Sequence, residues 1–195
     1  MRYDKEILSV AKKLGLLRPR DIAVPRAALR DLVKRGLLEQ VGRGLYRIPN
    51  SSSSEHSSLV EVSVRLPNAI ISHLSALQFH GIGTQNPHEV WITLNVRARR
   101  PQSKYPPIRV MRASGVALKT GVQYHKIEGR EVPIYSIEKT IIDCFKYRSK
   151  VGLDVALEAL KDAWAKKQIN IDTLWKYSKI CHVTNIIRPY IEAIQ

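Results

Sequence analysis

Pro25-Arg26-Ala27-Ala28-Leu29-Arg30-Asp31-Leu32-Val33-Lys34-Arg35-Gly36, continued by Leu37-Leu38-Glu39-Gln40-Val41-Gly42-Arg43-Gly44-Leu45-Tyr46-Arg47-Ile48, is the stretch on which the reading of the chain turns. A proline can open a helix because its missing N–H would be unpaired there anyway. Leu29, Leu32 and Val33 then form the buried stripe of a helix from Pro25 to about Arg35, ended by Gly36. Leu37 to Val41 and Leu45 to Ile48 read as two short strands, joined by a Gly42-Arg43-Gly44 turn that can use positive φ. Upstream, Ile7, Val10, Ala11 and Leu14 share one face of a first helix. Asp4 and Glu6 at its start and Lys12 and Lys13 at its end suit the helix dipole, and Gly15 is its expected stop. Arg18-Pro19-Arg20-Asp21-Ile22 permits a short second helix opened by proline. Helix, short helix, helix, hairpin is the order of a winged helix-turn-helix.

Arg26, Arg30 and Lys34 are spaced four apart and line one helical face, roughly opposite the apolar stripe. A helix fits the major groove, where arginine bonds bidentately to guanine edges. Arg26 and Arg30, nearer the helix start, are the candidates for reading bases, and Ala27 for meeting a thymine methyl. Lys34 and Arg35 sit later and suit phosphate contacts. Arg43 at the hairpin tip can reach the minor groove or its backbone, and Arg47 completes the candidate set. Asp31 reads best as a tether for Arg35 at i+4. The bland alternative is a solvated basic helix face, and winged helices also serve as protein docking modules.

The whole chain has 195 residues, with 32 Lys and Arg against 17 Asp and Glu, a net charge of +15. That bias predicts attraction to polyanions, nucleic acid first. Residues 1–50 carry 12 basic and 5 acidic groups, hence +7; the remainder carries 20 and 12, hence +8. The charge is therefore no mere tail. The length suits one domain or two small ones, and the composition excludes a wholly disordered, collagenous or disulfide-dense chain. Two cysteines, Cys144 and Cys181, cannot make a four-cysteine zinc site. The start of the chain does not read as a signal peptide and no run is long enough for a membrane helix, so the expected compartment is the cytoplasm.

Ser51-Ser52-Ser53-Ser54 reads as a linker, 51–54, between a first unit at 1–50 and a second at 55–195. The fold class expected is α+β: a winged helix followed by a mixed α/β domain with a helical C-terminal part. Leu59 to Leu66 leans to helix, and Ser72 can cap a short helix from Leu74 to Phe79. Strands are expected at Glu89–Leu94, Ile108–Met111, around Val122–Lys126 and at Val132–Tyr135, with Glu128-Gly129-Arg130 as a hairpin turn. Ser136 fits a cap for a helix through Phe145. Helical spacing recurs at Leu153–Trp164 and Ile171–Ser178, and a last helix over Val183–Ile194 is expected to kink or restart at Pro189. The aromatics of this third read as core. From the loop between the first two of these strands on to Arg112, Arg97, Arg99, Arg100, Lys104, Arg109 and Arg112 are six basic residues with no acid among them. With Tyr105 they make a second basic stretch suited to phosphate or single-strand contact, unless it is simply a solvated loop.

No catalytic set emerges. His73 and His80 have no ligand partner at helical spacing, so no metal is expected. Cys181 and His182 are adjacent and would not face each other on a helix. Glu138 and Asp143 read as polar helix faces rather than nuclease carboxylates, and no phosphate loop is present. The chain reads as no enzyme, with no cofactor; a nuclease is the remote alternative.

Three stretches carry a resemblance. They are Pro25 to Leu38 with Val41 to Arg47; Ile71-Ser72-His73-Leu74-Ser75-Ala76-Leu77-Gln78-Phe79-His80-Gly81-Ile82; and Val132-Pro133-Ile134-Tyr135-Ser136-Ile137-Glu138-Lys139-Thr140-Ile141-Ile142-Asp143. In this order they resemble the AbiEi-type antitoxins, transcriptional regulators of type IV toxin–antitoxin pairs. The resemblance implies an N-terminal winged helix that binds double-stranded operator DNA and represses its own operon. It implies a C-terminal domain that antagonises a nucleotidyltransferase-like toxin, a functional partner that need not bind stably. The family's DNA-binding helix and wing fall on Arg26, Arg30, Lys34 and Arg43, and its basic face on Arg97, Arg99, Arg100 and Lys104. A stand-alone regulator without antitoxin activity is the main rival. A dimer or two monomers would both read an inverted repeat, and no coiled-coil seam decides between them.

Overall fold

The computed structural model describes residues 3–50, 54–101 and 106–194. The chain opens with α1 (Asp4–Leu14), a 3-10 turn (Pro19–Asp21), α2 (Arg26–Lys34), β1 (Glu39–Gly42) and β2 (Leu45–Arg47). Ile7, Ala11, Leu17, Ile22, Leu29, Leu32, Leu38 and Tyr46 form its core. The winged helix read from the sequence is present, with two adjustments. The second helix is a single 3-10 turn. The first strand begins at Glu39, two residues later than expected, because the N–H groups of Leu37 and Leu38 both donate to Leu32 O at 2.9 and 3.2 Å. They close the C-terminal end of α2 around Gly36, which takes φ 70°.

Of the linker read at 51–54, residues 51–53 lie outside the described residues. Then follow α3 (Ser57–Arg65), β3 (Ile70–Ile71), α4 (His73–Phe79), β4 (Val90–Asn95), β5 (Ile108–Ala113), α5 (Gly115–Lys119), β6 (Val122–Ile127) and β7 (Arg130–Tyr135). The five strands form one mixed sheet in the order β5-β4-β3-β7-β6. β3 pairs parallel with β7 and antiparallel with β4, which pairs parallel with β5, and β6 and β7 form an antiparallel hairpin. β4 is buried from Val90 through Leu94, as a central strand covered on both faces must be. The two-residue β3 is too short to give an alternation signal, and the sequence reading passed over it and over α5.

α3 lies on the sheet through Leu59, Val60, Val62 and Val64, in a core that also takes in Leu16 and Leu45 of the first unit. The helical third, α6 (Ile137–Lys146), α7 (Arg148–Val151), α8 (Leu153–Ala165), α9 (Ile171–Ile180) and α10 (Thr184–Ile194), packs with α4 around Leu77, Ile141, Phe145, Leu160 and Ile187. α10 runs through Pro189 as one helix. Ser136 caps α6 by accepting from Lys139 N at 3.3 Å. Ser72 takes the N-cap position of α4 without a capping bond, because its Oγ accepts from Thr93 Oγ1 at 2.9 Å and lies 2.9 Å from His73 Nδ1. Asp143 is buried rather than on a polar face, paired with a Lys139 that is 1 % exposed. Trp164, read as core, is 37 % exposed.

The turn between β6 and β7 meets the first unit. A Cβ on Gly129, at φ 74°, would lie 2.1 Å from Lys13 O. Only glycine allows that approach. On one side of Gly129, Glu128 Oε1 accepts from Ser54 N, Ser54 Oγ and Ser57 Oγ at 2.7 to 2.9 Å. On the other, Arg130 Nη2 donates to Leu16 O and pairs with Asp21. Arg18 Nη1 donates to Val64 O at 2.7 Å. Burial alone would raise the Asp21 carboxyl, but hydrogen bonds from Arg130 and Arg18 overcome it and hold it below its ordinary range.

Candidate nucleic-acid interface

α2 buries Leu29 and Leu32 and turns Arg26, Ala27, Arg30 and Lys34 outward, all exposed. The 3-10 turn and the hairpin stand beside it. Leu17 N donates to Tyr46 O at 2.8 Å and Tyr46 N to Leu17 O at 2.9 Å, which fixes the turn against β2. The three elements enclose an open hollow of about 610 Å³ lined by Arg18, Pro19, Arg20, Arg26, Arg30, Gln40, Arg43, Gly44 and Tyr46. Five arginines thus line one concave surface, and among the described residues no acid lines it. Arg18 is held from behind by Val64 O and Asp21, whereas Arg20, Arg26, Arg30 and Arg43 are exposed. A guanidinium keeps its charge at any physiological pH and presents a planar fork matched to phosphate and to guanine edges.

The other residues read from the sequence fall elsewhere. Lys34 is exposed on the last turn of α2, and Ala27 flanks Arg26 on the outer face; neither lines the hollow. Arg35 turns toward α1, where Nη1 donates to Asp4 Oδ2 at 2.8 Å and to Asp31 Oδ2 at 3.0 Å. The tether expected from Asp31 is formed, with Asp4 as a second acceptor. The hydrogen bond from Arg35 holds the Asp4 carboxyl below its ordinary range. Arg47 pairs across the hairpin with Glu39.

The second basic stretch divides. Arg97, Arg99 and Arg100 are exposed on the turn after β4. Arg112 Nη1 donates to Asn95 O and Ala98 O, both at 2.8 Å, and so staples that turn from beneath. Arg109 Nε donates to Glu89 Oε1 at 2.7 Å and its guanidinium lies 5.4 Å from the centre of the Trp91 ring. Lys104 and Tyr105 lie outside the described residues.

Sequence reasoning missed Arg18, Arg20 and Gln40 as parts of the hollow. The signal was there in Arg18-Pro19-Arg20, since a proline-opened turn before a recognition helix sets flanking side chains beside it. The remaining titratable groups serve the fold. Burial pushes His73 down to about 4, so it is neutral. His80 Nε2–H donates to Tyr135 O at 2.8 Å, and burial lowers its pKa. Both cysteine thiols are buried and pushed upward, away from thiolate chemistry. Among the described residues, no cluster of three His, Cys, Asp or Glu side chains could hold a metal, and no helix is long and apolar enough to cross a membrane.

Comparison with known proteins agrees with the geometry of the first unit. Residues 5–49 match the family described as transcriptional regulator, AbiEi antitoxin, so the N-terminal region carries an AbiEi-type regulator domain of the winged-helix, DNA-binding kind. The crystal structure of the RV2827C protein from Mycobacterium tuberculosis shares the fold, with a TM-score of 0.63 over 92 % of this chain and 72 % of that one, at 16 % identity. No curated protein sequence matches the chain.

Proposed function

We propose, from the premise that residues 5–49 form an AbiEi-type regulator domain, that the protein is a sequence-specific repressor acting on its own operon. One observation carries this reading: the acid-free hollow in which Arg20, Arg26, Arg30 and Arg43 converge beside an exposed helix face. In the proposed complex α2 enters the major groove, Arg26 and Arg30 reach base edges, and Ala27 meets a thymine methyl. Arg43 follows the adjacent minor groove or its backbone, while Arg20 and Lys34 hold phosphates. Arg97, Arg99 and Arg100 of the second unit add sequence-independent phosphate contacts. The units at 1–50 and 55–195 then divide the work, the first reading sequence. A gel shift and a reporter fused to the upstream DNA test this. Binding and repression are expected with the natural upstream sequence and lost with Arg26→Ala/Arg30→Ala. Equal binding to scrambled DNA would overturn it.

The second unit is proposed to antagonise a nucleotidyltransferase-like toxin in the cytoplasm. Support comes from the antitoxin description of the matched family and from the two resembling stretches at Ile71–Ile82 and Val132–Asp143. Co-expression with the neighbouring gene product tests it: growth is rescued if the reading holds, and persistent arrest contradicts it.

A further inference from the structure

Next to the DNA-facing hollow lies a larger cleft, about 1000 Å³, between the first unit and the sheet. Its floor is apolar, built by Ile70, Leu94, Val122 and Pro133 from four different strands or their ends. Tyr124 pairs with Pro133 across the β6–β7 hairpin and stands 70 % exposed at the cleft. Two guanidinium groups from opposite sides of the unit boundary also line it, Arg18 from before the 3-10 turn and Arg130 from β7. Lys119 adds a third cation, and Glu131 is the acid among the lining residues.

Arg18 and Arg130 converge on a single carboxylate, Asp21. One carboxylate cannot accept from every N–H of two guanidinium groups. The remaining Arg18 and Arg130 bonds go to the carbonyls of Val64 and Leu16. The Nε–H of each arginine is buried and has no acceptor among the described residues. Buried donors without acceptors are costly, and a charged one is more so. Ligand sites favour domain boundaries, apolar floors and a few converging polar groups, in clefts of about this size.

We infer that this cleft binds a small amphipathic oxyanion, its carboxylate or phosphate drawn to Arg18, Arg130 and Lys119 and its apolar body laid on Val122, Pro133 and the ring of Tyr124. The ligand shifts the share of the two arginines that Asp21 holds. Because Arg18 also lines the DNA-facing hollow, occupancy of the cleft is coupled to DNA binding. That coupling, though not the site itself, rests on the DNA-binding reading above.

Calorimetry on the full chain tests the site with octanoate and octyl phosphate, which separate carboxylate from phosphate preference, and with octanol as the uncharged control. At least one of the two anions is expected to bind, octanol to give no saturable heat, and Lys119→Ala/Tyr124→Ala to weaken the anion by at least about tenfold. Lys119 and Tyr124 are exposed, so the variant is expected to melt as the parent does. Equal binding of octanol, no binding of either anion, or an unaltered affinity in the variant would overturn the site. A second arm titrates upstream DNA with and without saturating anion. A changed DNA affinity in the parent but not in the variant supports the coupling; an unchanged affinity in the parent overturns the coupling. Failure of the DNA reading itself shows separately, as equal binding of natural and scrambled DNA without any anion present.

Discussion

In the hollow beside α2, Arg20, Arg26, Arg30 and Arg43 share one space with no carboxylate on its lining. In the stretch after β4, Arg109 and Arg112 turn to a carboxylate and to backbone carbonyls, whereas the three arginines at the turn itself are exposed. Both stretches read in the sequence as basic runs of much the same kind. What separates them is what lies within reach. In the first unit several carboxylates are taken up by arginines outside or at the back of the hollow: Asp4 and Asp31 hold Arg35, Glu39 holds Arg47, and Asp21 holds Arg18. Among the described residues, Arg20, Arg26, Arg30 and Arg43 stay exposed. In the second stretch Arg112 holds its own turn and Arg109 pairs with Glu89, and charge density alone does not distinguish these uses from an open basic surface.

The contrast can be attacked where charges are most deeply committed to the fold. Lys139→Ala would leave Asp143 buried without its partner, at a cost of about 3–5 kcal/mol. Thermal unfolding measures it, and a variant that melts like the parent would mean that the pair does little for stability. Arg112→Ala removes two charge-assisted bonds to Asn95 O and Ala98 O, so a loss of about 2 kcal/mol is expected, with operator preference unchanged. Denaturant titration beside a DNA titration checks both parts. Were DNA preference to fall and stability to hold, Arg112 would belong with the reading arginines. Arg97→Ala/Arg99→Ala/Arg100→Ala is expected to weaken natural and scrambled DNA alike and to reduce the salt slope by up to about 3. A slope equal to the parent's would remove this turn from the interface. The smallest effect belongs to Arg35→Ala and Arg47→Ala, whose side chains are occupied by Asp4, Asp31 and Glu39. Each should change DNA affinity by less than about threefold, since these side chains are engaged by carboxylates and do not line the hollow.

How much of this was legible in the sequence follows from the range of the interactions. The winged helix was, because its signals are local: proline at a helix start, glycine at its end, a Gly-Arg-Gly turn and an apolar stripe at helical spacing. So was the Asp31–Arg35 tether, four residues apart on one helix. β3 was not, because two residues carry no alternation and its partners Ile92 and Ile134 are distant in the chain. Nor was the inward turn of Asp143, since a carboxylate on a helix face is buried only when α6 packs on α8 and α9. Arg18 and Arg20 were passed over because their role depends on the Leu17–Tyr46 bridge that sets the 3-10 turn beside the hairpin. The meeting of Arg130 with Asp21, one of the contacts that link the two units, joins residues 109 positions apart and has no local signature.

The central claim is that the arginines of the α2 hollow read sequence whereas those of the β4–β5 turn supply only charge. Fluorescence anisotropy with natural upstream DNA and a scrambled duplex, at two salt concentrations, measures it for the parent, for Arg26→Ala/Arg30→Ala and for the triple variant of the turn. The account predicts that the α2 variant loses the preference for natural DNA, each arginine being worth about 1–3 kcal/mol of discrimination, while the turn variant keeps that preference at lower overall affinity. Preference retained in the α2 variant, or lost in the turn variant alone, would contradict it.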